Sequence, residues 1–181
     1  LQEELREERN KDRIPDTVIL LEHDHVYTMG KDLVDSSSLI RVSLPGDIPV
    51  VRVERGGKIT YHGPGQLIGY FIFKIPLAKV GDFLTFIENV TVETLRDFGV
   101  DAYSRKGEKD KYGKNIRGAW YLADNLHKKI AAQGLEFEVC GRHRKNEPMV
   151  VTMHGFALNV NTDLGYFKYI KPCGFDYDVM S

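Results

Sequence analysis

The hydrophobic positions of this chain come mostly in short runs bounded by glycine, proline and charge, the pattern of strands and turns. Thr17-Val18-Ile19-Leu20-Leu21 predicts a buried strand, and Val26-Tyr27-Thr28-Met29 a second after a polar turn. Residues 50–53 and Ile59-Thr60-Tyr61 predict two more, with a glycine loop between them. Residues 67–75 are strongly apolar and β-like until Pro76 ends the run. A short strand follows at 100–103, then a meander at about 116–122, 127–132, 135–139, 149–153 and 155–160. Helical spacing is rarer. Over 82–98, Phe83, Ile87, Val90, Leu95 and Phe98 define one apolar face, and Gly99 suits the stop. Residues 1–13 read as an amphipathic helix closed by Pro15, and 164–170 as a short helical piece opened by Asp163. Residues 32–49 have loop composition. With no repeat or linker, the pattern predicts one α+β domain over 1–181.

Composition removes several classes of function. The formal net charge is −1, so no global field argues for nucleic acid or a membrane surface. No apolar run reaches the length of a membrane span. Two cysteines, Cys140 and Cys173, make no disulfide framework, so a reducing cytoplasm is the expected setting. No secretory pattern opens the chain, and it starts at Leu1 rather than Met, so the natural N-terminus is expected upstream.

Candidate chemistry gathers around Arg55-Gly56-Gly57-Lys58-Ile59-Thr60-Tyr61-His62-Gly63-Pro64-Gly65-Gln66. Four glycines, a proline, two cations and a histidine in twelve positions exceed what a surface turn needs. The expected geometry brings backbone N–H groups to a substrate, with Arg55 and His62 at the rim. Cys173, between Pro172 and Gly174, is the candidate nucleophile, whereas Cys140 closes an apolar strand. A reactive thiol needs a nearby cation or proton acceptor, and Lys128, Lys129, His62, His154 and Lys171 qualify. Lys128 and Lys129 lie in an apolar strand, so one faces solvent and the other a covered side. Periodicity does not choose between them. His154-Gly155-Phe156-Ala157 echoes His62-Gly63 and suits an acyl chain against Phe156, or else marks a strand with a bulge at Gly155. His23 and His25 have no further ligand nearby, so no metal is expected. Residues 105–114 are basic, either a solvated face or a landing site for an acidic partner.

The stretch 55–66 resembles the signature of the octanoyltransferases, also called lipoate–protein ligase B. Glu22-His23 with Val26-Tyr27-Thr28-Met29-Gly30, Lys129-Ile130-Ala131-Ala132-Gln133-Gly134, the run 152–161 and Pro172-Cys173-Gly174 resemble its other motifs, in order. The resemblance implies a mixed, mainly antiparallel sheet flanked by helices, like the catalytic domain of biotin and lipoate ligases. It implies octanoyl transfer from acyl carrier protein to a lysine of lipoyl domains, in 2-oxoacid dehydrogenase complexes and the glycine cleavage H protein. A thioester on Cys173 is implied, with Lys129, rather than Lys128, as its proton partner. Substrate contacts carry over to residues 55–62, to Ala132, Gln133 and Gly134, and to Gly155, Phe156 and Ala157. The implied enzyme is a monomer that uses neither ATP nor metal. An ATP-dependent lipoate or biotin ligase of the same fold is the alternative. The chain departs from the family in a longer basic loop at 105–114 and in residues 174–181; the family's first strand is expected before Leu1, and relatives often continue past Ser181.

Overall fold

The computed structural model describes residues 1–31, 43–110, 113, 115–142, 146–171, 179 and 181. In chain order these form α1 (Gln2–Asn10), β1 (Thr17–Leu21), β2 (Val26–Met29), β3 (Val50–Arg52), β4 (Ile59–His62), β5 (Gln66–Ile72), β6 (Lys74–Pro76), α2 (Val80–Asp97), β7 (Tyr103–Ser104), β8 (Ala119–Ala123), β9 (Leu126–Arg142) and β10 (Pro148–Asn159), with 3-10 turns at Leu77–Lys79 and Leu164–Tyr169. The larger sheet runs β1-β5-β10-β9-β8-β7, with β6 beside β10, and its strand pairings are antiparallel. A second sheet runs β3-β2-β4, where β2 pairs β3 in parallel and β4 antiparallel. The α+β class and the mixed, mainly antiparallel sheet agree with expectation.

The core follows from the apolar runs. Val92 and Leu95 of α2 pack on Ala119, Ile130, Ala131 and Leu158 of the sheet. Phe71, Ile87 and Leu135 continue this layer. Each buried Val, Leu or Ile here contributes about 1.5–3 kcal/mol. The buried stripe of α2 runs through Ile87, Thr91, Val92 and Leu95, and the expected face is corrected at Val90 and Phe98, which are exposed. The second sheet has its own core of Tyr27, Ile59, Tyr61, Phe167 and Ile170.

Several expected boundaries differ. β1 alternates between half-buried and exposed residues, with Leu20 62% exposed, because it lies at the edge of the sheet. Residues 67–75 divide into β5 and β6, and the strand at 100–103 reduces to β7. The pieces 127–132 and 135–139 are one strand, β9, and 149–153 and 155–160 are one strand, β10. Gly134, in the gap expected between 127–132 and 135–139, and Gly155, at the expected start of 155–160, pair with each other inside the sheet. Gly155 serves close packing: a Cβ there would lie 2.6 Å from Phe71 Cδ2.

Candidate active site

A cavity of about 480 Å³ lies between the two sheets. The loop before β4 supplies Val53, Arg55, Gly56 and Gly57, and β4 itself Thr60 and His62. The facing wall comes from Ile68 and Tyr70 of β5, residues 132–134 of β9 and residues 154–157 of β10. Gln2 of α1 reaches it too. The glycine loop is fixed to β9, since Gly56 N–H donates to the Leu135 carbonyl at 3.3 Å. That donor is therefore committed to the protein and not offered to a ligand. Arg55 is also committed: its guanidinium donates to the Thr28 carbonyl at 2.8 Å, to Thr28 Oγ1 at 2.7 Å and to the Gly56 carbonyl at 3.0 Å. It clamps the loop while lining the cavity.

Four imidazoles line this space, those of His23, His25, His62 and His154. His23 Nε2 lies 2.5 Å from the Tyr70 hydroxyl, and the His23 and His62 rings are 6.0 Å apart. His62 Nδ1 is 2.7 Å from Gln66 Oε1. Burial pushes the His62 imidazole down to about 3, and the charge of Arg55 acts in the same direction. Burial, then Arg55 and Arg6, push His154 down to about 4. Burial also lowers His23, partly offset by Asp24. At neutral pH His62 and His154 are therefore uncharged. His154 sits in β10 with φ +61°, a left-handed conformation that costs a non-glycine residue energy. Its pairing with Leu135 of β9 persists, and its N–H donates to Gln2 Oε1 at 2.8 Å. The register shift in this hairpin lies between Pro148 and Val150, so the bulge considered at Gly155 is absent.

Lys129 is buried while Lys128 is half-buried. The reason lies in a register shift: Ala119 pairs with Ala131, but Trp120 pairs with Lys129, leaving Ile130 as an extra residue. Ile130 and Ala131 both pack in the cluster with Val92 and Leu95 of α2. Two consecutive residues turn to the helix, so Lys129 turns away from α2 and packs beside its cross-strand partner Trp120; it does not itself line the cavity. Its ammonium lies 5.1 Å from the centre of the Trp120 ring. Gly118, at φ +102°, leaves room for its stem, because a Cβ there would come within 2.9 Å of Lys129 Cε and run into the Ala131 carbonyl. Val179 forms a parallel bridge with Lys129.

Of the expected substrate residues, Arg55, Gly56, Gly57, Thr60, His62, Ala132, Gln133, Gly134, His154, Gly155, Phe156 and Ala157 line the cavity. Lys58 does not line it, and Ile59 and Tyr61 are fully buried in the core of the second sheet. Cys173 lies outside the described residues, as do Lys111 and Lys114 of the basic loop. In that loop Arg105 stacks 4.9 Å from the Trp120 ring centre and binds Glu108. His25 Nδ1 is 2.7 Å from the Tyr61 hydroxyl, so both early histidines meet tyrosines. No group of three or more His, Cys, Asp or Glu suited to a metal occurs among the described residues. Sequence reasoning missed Gln2, Tyr70, Gln66 and Asn159. Gln66 ends the glycine stretch, and that position was its only signal.

The lipoyl protein ligase A/B catalytic-domain family matches residues 1–181. Among curated relatives, an octanoyltransferase of Streptomyces griseus is 36% identical over 96% of this chain and 70% of its own length. Octanoyltransferases of Acidothermus cellulolyticus and Vibrio campbellii are 41% and 40% identical, over 96% and 93% of this chain. The chain spans 69% and 66% of those two relatives, about two thirds of their length. Among solved structures, the bi-partite lipoate protein ligase of Thermoplasma acidophilum superposes with TM-score 0.61 at 17% identity, over 93% of this chain and 60% of that one. A lipoate-protein ligase A bound with ATP gives 0.60 at 18% identity, over 93% and 66%. These two likenesses establish the fold. By the family match and its curated relatives, the chain belongs to the lipoyl protein ligase A/B catalytic-domain family, within its octanoyltransferases, a group of acyltransferases.

Proposed function

We propose that residues 1–181 act as one catalytic domain that moves an octanoyl group from octanoyl-acyl carrier protein to a lysine of a lipoyl domain, through a thioester on Cys173. The acceptors in this reading are lipoyl domains of 2-oxoacid dehydrogenase complexes and the glycine cleavage H protein. The enzyme works as a cytoplasmic monomer without ATP or metal. One observation carries the reading: a single cavity gathers the glycine loop, His62 and residues 132–134 and 154–157, and Lys129 is buried in the same strand, three residues before Ala132. Val26, Val51, Val53, Ile68 and Phe156 give it an apolar wall suited to a saturated chain. The bridge from Lys129 to Val179 supports the partnership with Cys173, six positions before Val179.

In the first half-reaction the Lys129 amine takes the Cys173 thiol proton. The sulfur attacks the octanoyl carbonyl carbon, and the carrier's sulfur leaves and takes that proton. One thioester replaces another, so no ATP is consumed. In the second half, the free amine of the acceptor lysine attacks the acyl-enzyme. The Cys173 sulfur leaves, and the proton released by the amine returns to it through Lys129. The amide is more stable than the thioester, which drives the sequence forward. The basic residues of 105–114 steer the acidic carrier.

The test is intact mass after mixing the protein with octanoyl-acyl carrier protein in the absence of ATP. An octanoyl adduct on wild type and none on Cys173→Ala is expected. The shared fold with an ATP-bound lipoate ligase keeps an ATP-dependent ligase as the second reading. Octanoyl transfer to a lipoyl domain that requires ATP and survives Cys173→Ala would favour it.

A further inference from the structure

The ring nitrogens of His62 are not equivalent, and the neighbours of Gln66 decide which one carries the proton. Gln66 and Asn159 are cross-strand partners at the end of β5 and β10. Gln66 Nε2 donates to Asn159 Oδ1 at 2.8 Å and to the backbone carbonyl of Tyr61 at 3.4 Å. A carbonyl only accepts, so the nitrogen of the Gln66 amide must face Tyr61. Its oxygen then faces His62 Nδ1, at 2.7 Å. An amide oxygen accepts as well, so Nδ1 must carry the hydrogen. The other nitrogen, Nε2, keeps its lone pair. No described residue hydrogen-bonds to it, and the ring lines the cavity. Arg55, His23 and His154 are the charged and titratable groups around this ring. The low affinity of the buried ring for a second proton keeps it an acceptor at neutral pH.

We propose that Gln66, braced by Asn159 and the Tyr61 carbonyl, is a positioning residue that holds His62 as the Nδ1–H tautomer, so that Nε2 accepts a hydrogen bond from a substrate N–H in the cavity. This deepens the acyl-transfer reading and rests on it for the identity of the ligand. The group that matches is the nitrogen of the acceptor lysine, which bears N–H both as the attacking amine and as the amide of the product. A site built around an unmet acceptor discriminates against a ligand without the donor.

Two measurements test it. The first is the nitrogen NMR spectrum of resting protein labelled with nitrogen-15 histidine, with His62 assigned by its loss in His62→Asn. It needs no turnover, so failure of acyl transfer and failure of this inference are separate results. Wild type is expected to show His62 protonated at Nδ1 and bare at Nε2. Protonation at Nε2, or an averaged mixture, overturns the proposal. The second compares N-methyloctanamide with methyl octanoate, which differ only in N–H against O. The amide is expected to shift the Nε2 resonance and to bind about tenfold more tightly than the ester. Gln66→Glu places a carboxylate on Nδ1, so His62 is expected to carry both protons at neutral pH and the preference for the amide to vanish. Equal binding of the two probes to wild type, with the Nε2 resonance unmoved, overturns the proposal even if the variant does not fold.

Discussion

His154 occupies a backbone conformation that suits glycine, inside a strand. Glycine there relieves the left-handed penalty and alanine does not, a difference of about 1 kcal/mol. In urea unfolding, His154→Gly should therefore be more stable than His154→Ala by about that amount, although both lose the imidazole and should transfer octanoyl slowly. Lys129→Met should keep the fold and lower the transfer rate by at least about 100-fold, the range of a lost proton acceptor. The check is single-turnover acylation by octanoyl-acyl carrier protein, with circular dichroism to confirm folding. Much of the cavity wall was legible at this scale, because Arg55, His62 and Gly134 fall within ordered motifs. Gln2, Tyr70 and Asn159 were not. Their meaning comes from partners far away in the chain, such as the hydrogen bond from His154 N–H to Gln2.

Among the elements, β8 and β9 hold the covered amine in place through close backbone approach at Gly118. Gly118→Ala adds a methyl group where the Ala131 carbonyl and the Lys129 stem already stand, in a left-handed region as well. It should cost at least about 2 kcal/mol in urea unfolding. The locations of strands and helices could be read from apolar runs, and α2 differed from expectation by two residues at its start and one at its end. The merging of strands could not. Gly134 and Gly155 lie opposite each other inside the sheet, the first leaving room for Gly56 of the glycine loop and the second for Gly69 and Phe71 of β5, neighbours that no pattern along the chain reveals. Strict alternation likewise left Lys128 and Lys129 undecided, because register between neighbouring strands is a tertiary fact.

For the molecule as a whole, the depressed histidines imply a weakness toward acid. Unfolded, each titrates near 6.5, whereas in the fold His154 waits until about 4 and His62 until about 3. Below 6.5 the unfolded chain therefore binds protons that the native chain refuses, and stability falls as pH falls. The contribution is intact above about 6.5 and is lost progressively down to those folded values. Each histidine contributes a slope of up to about 1.4 kcal/mol per pH unit. Urea unfolding at pH 7, 6 and 5 should show this decline, and His62→Asn should make it shallower. An unchanged slope in that variant would contradict the account.

The extra residue in β9 has an evolutionary corollary. Removing Ile130 changes no ionisable group, yet it should restore simple alternation and turn Lys129 from its place beside Trp120 toward the α2 layer. For this protein, chain length within one strand is as sensitive as the choice of amino acid, so lineages that keep the activity should tolerate substitutions at this position far better than a gap.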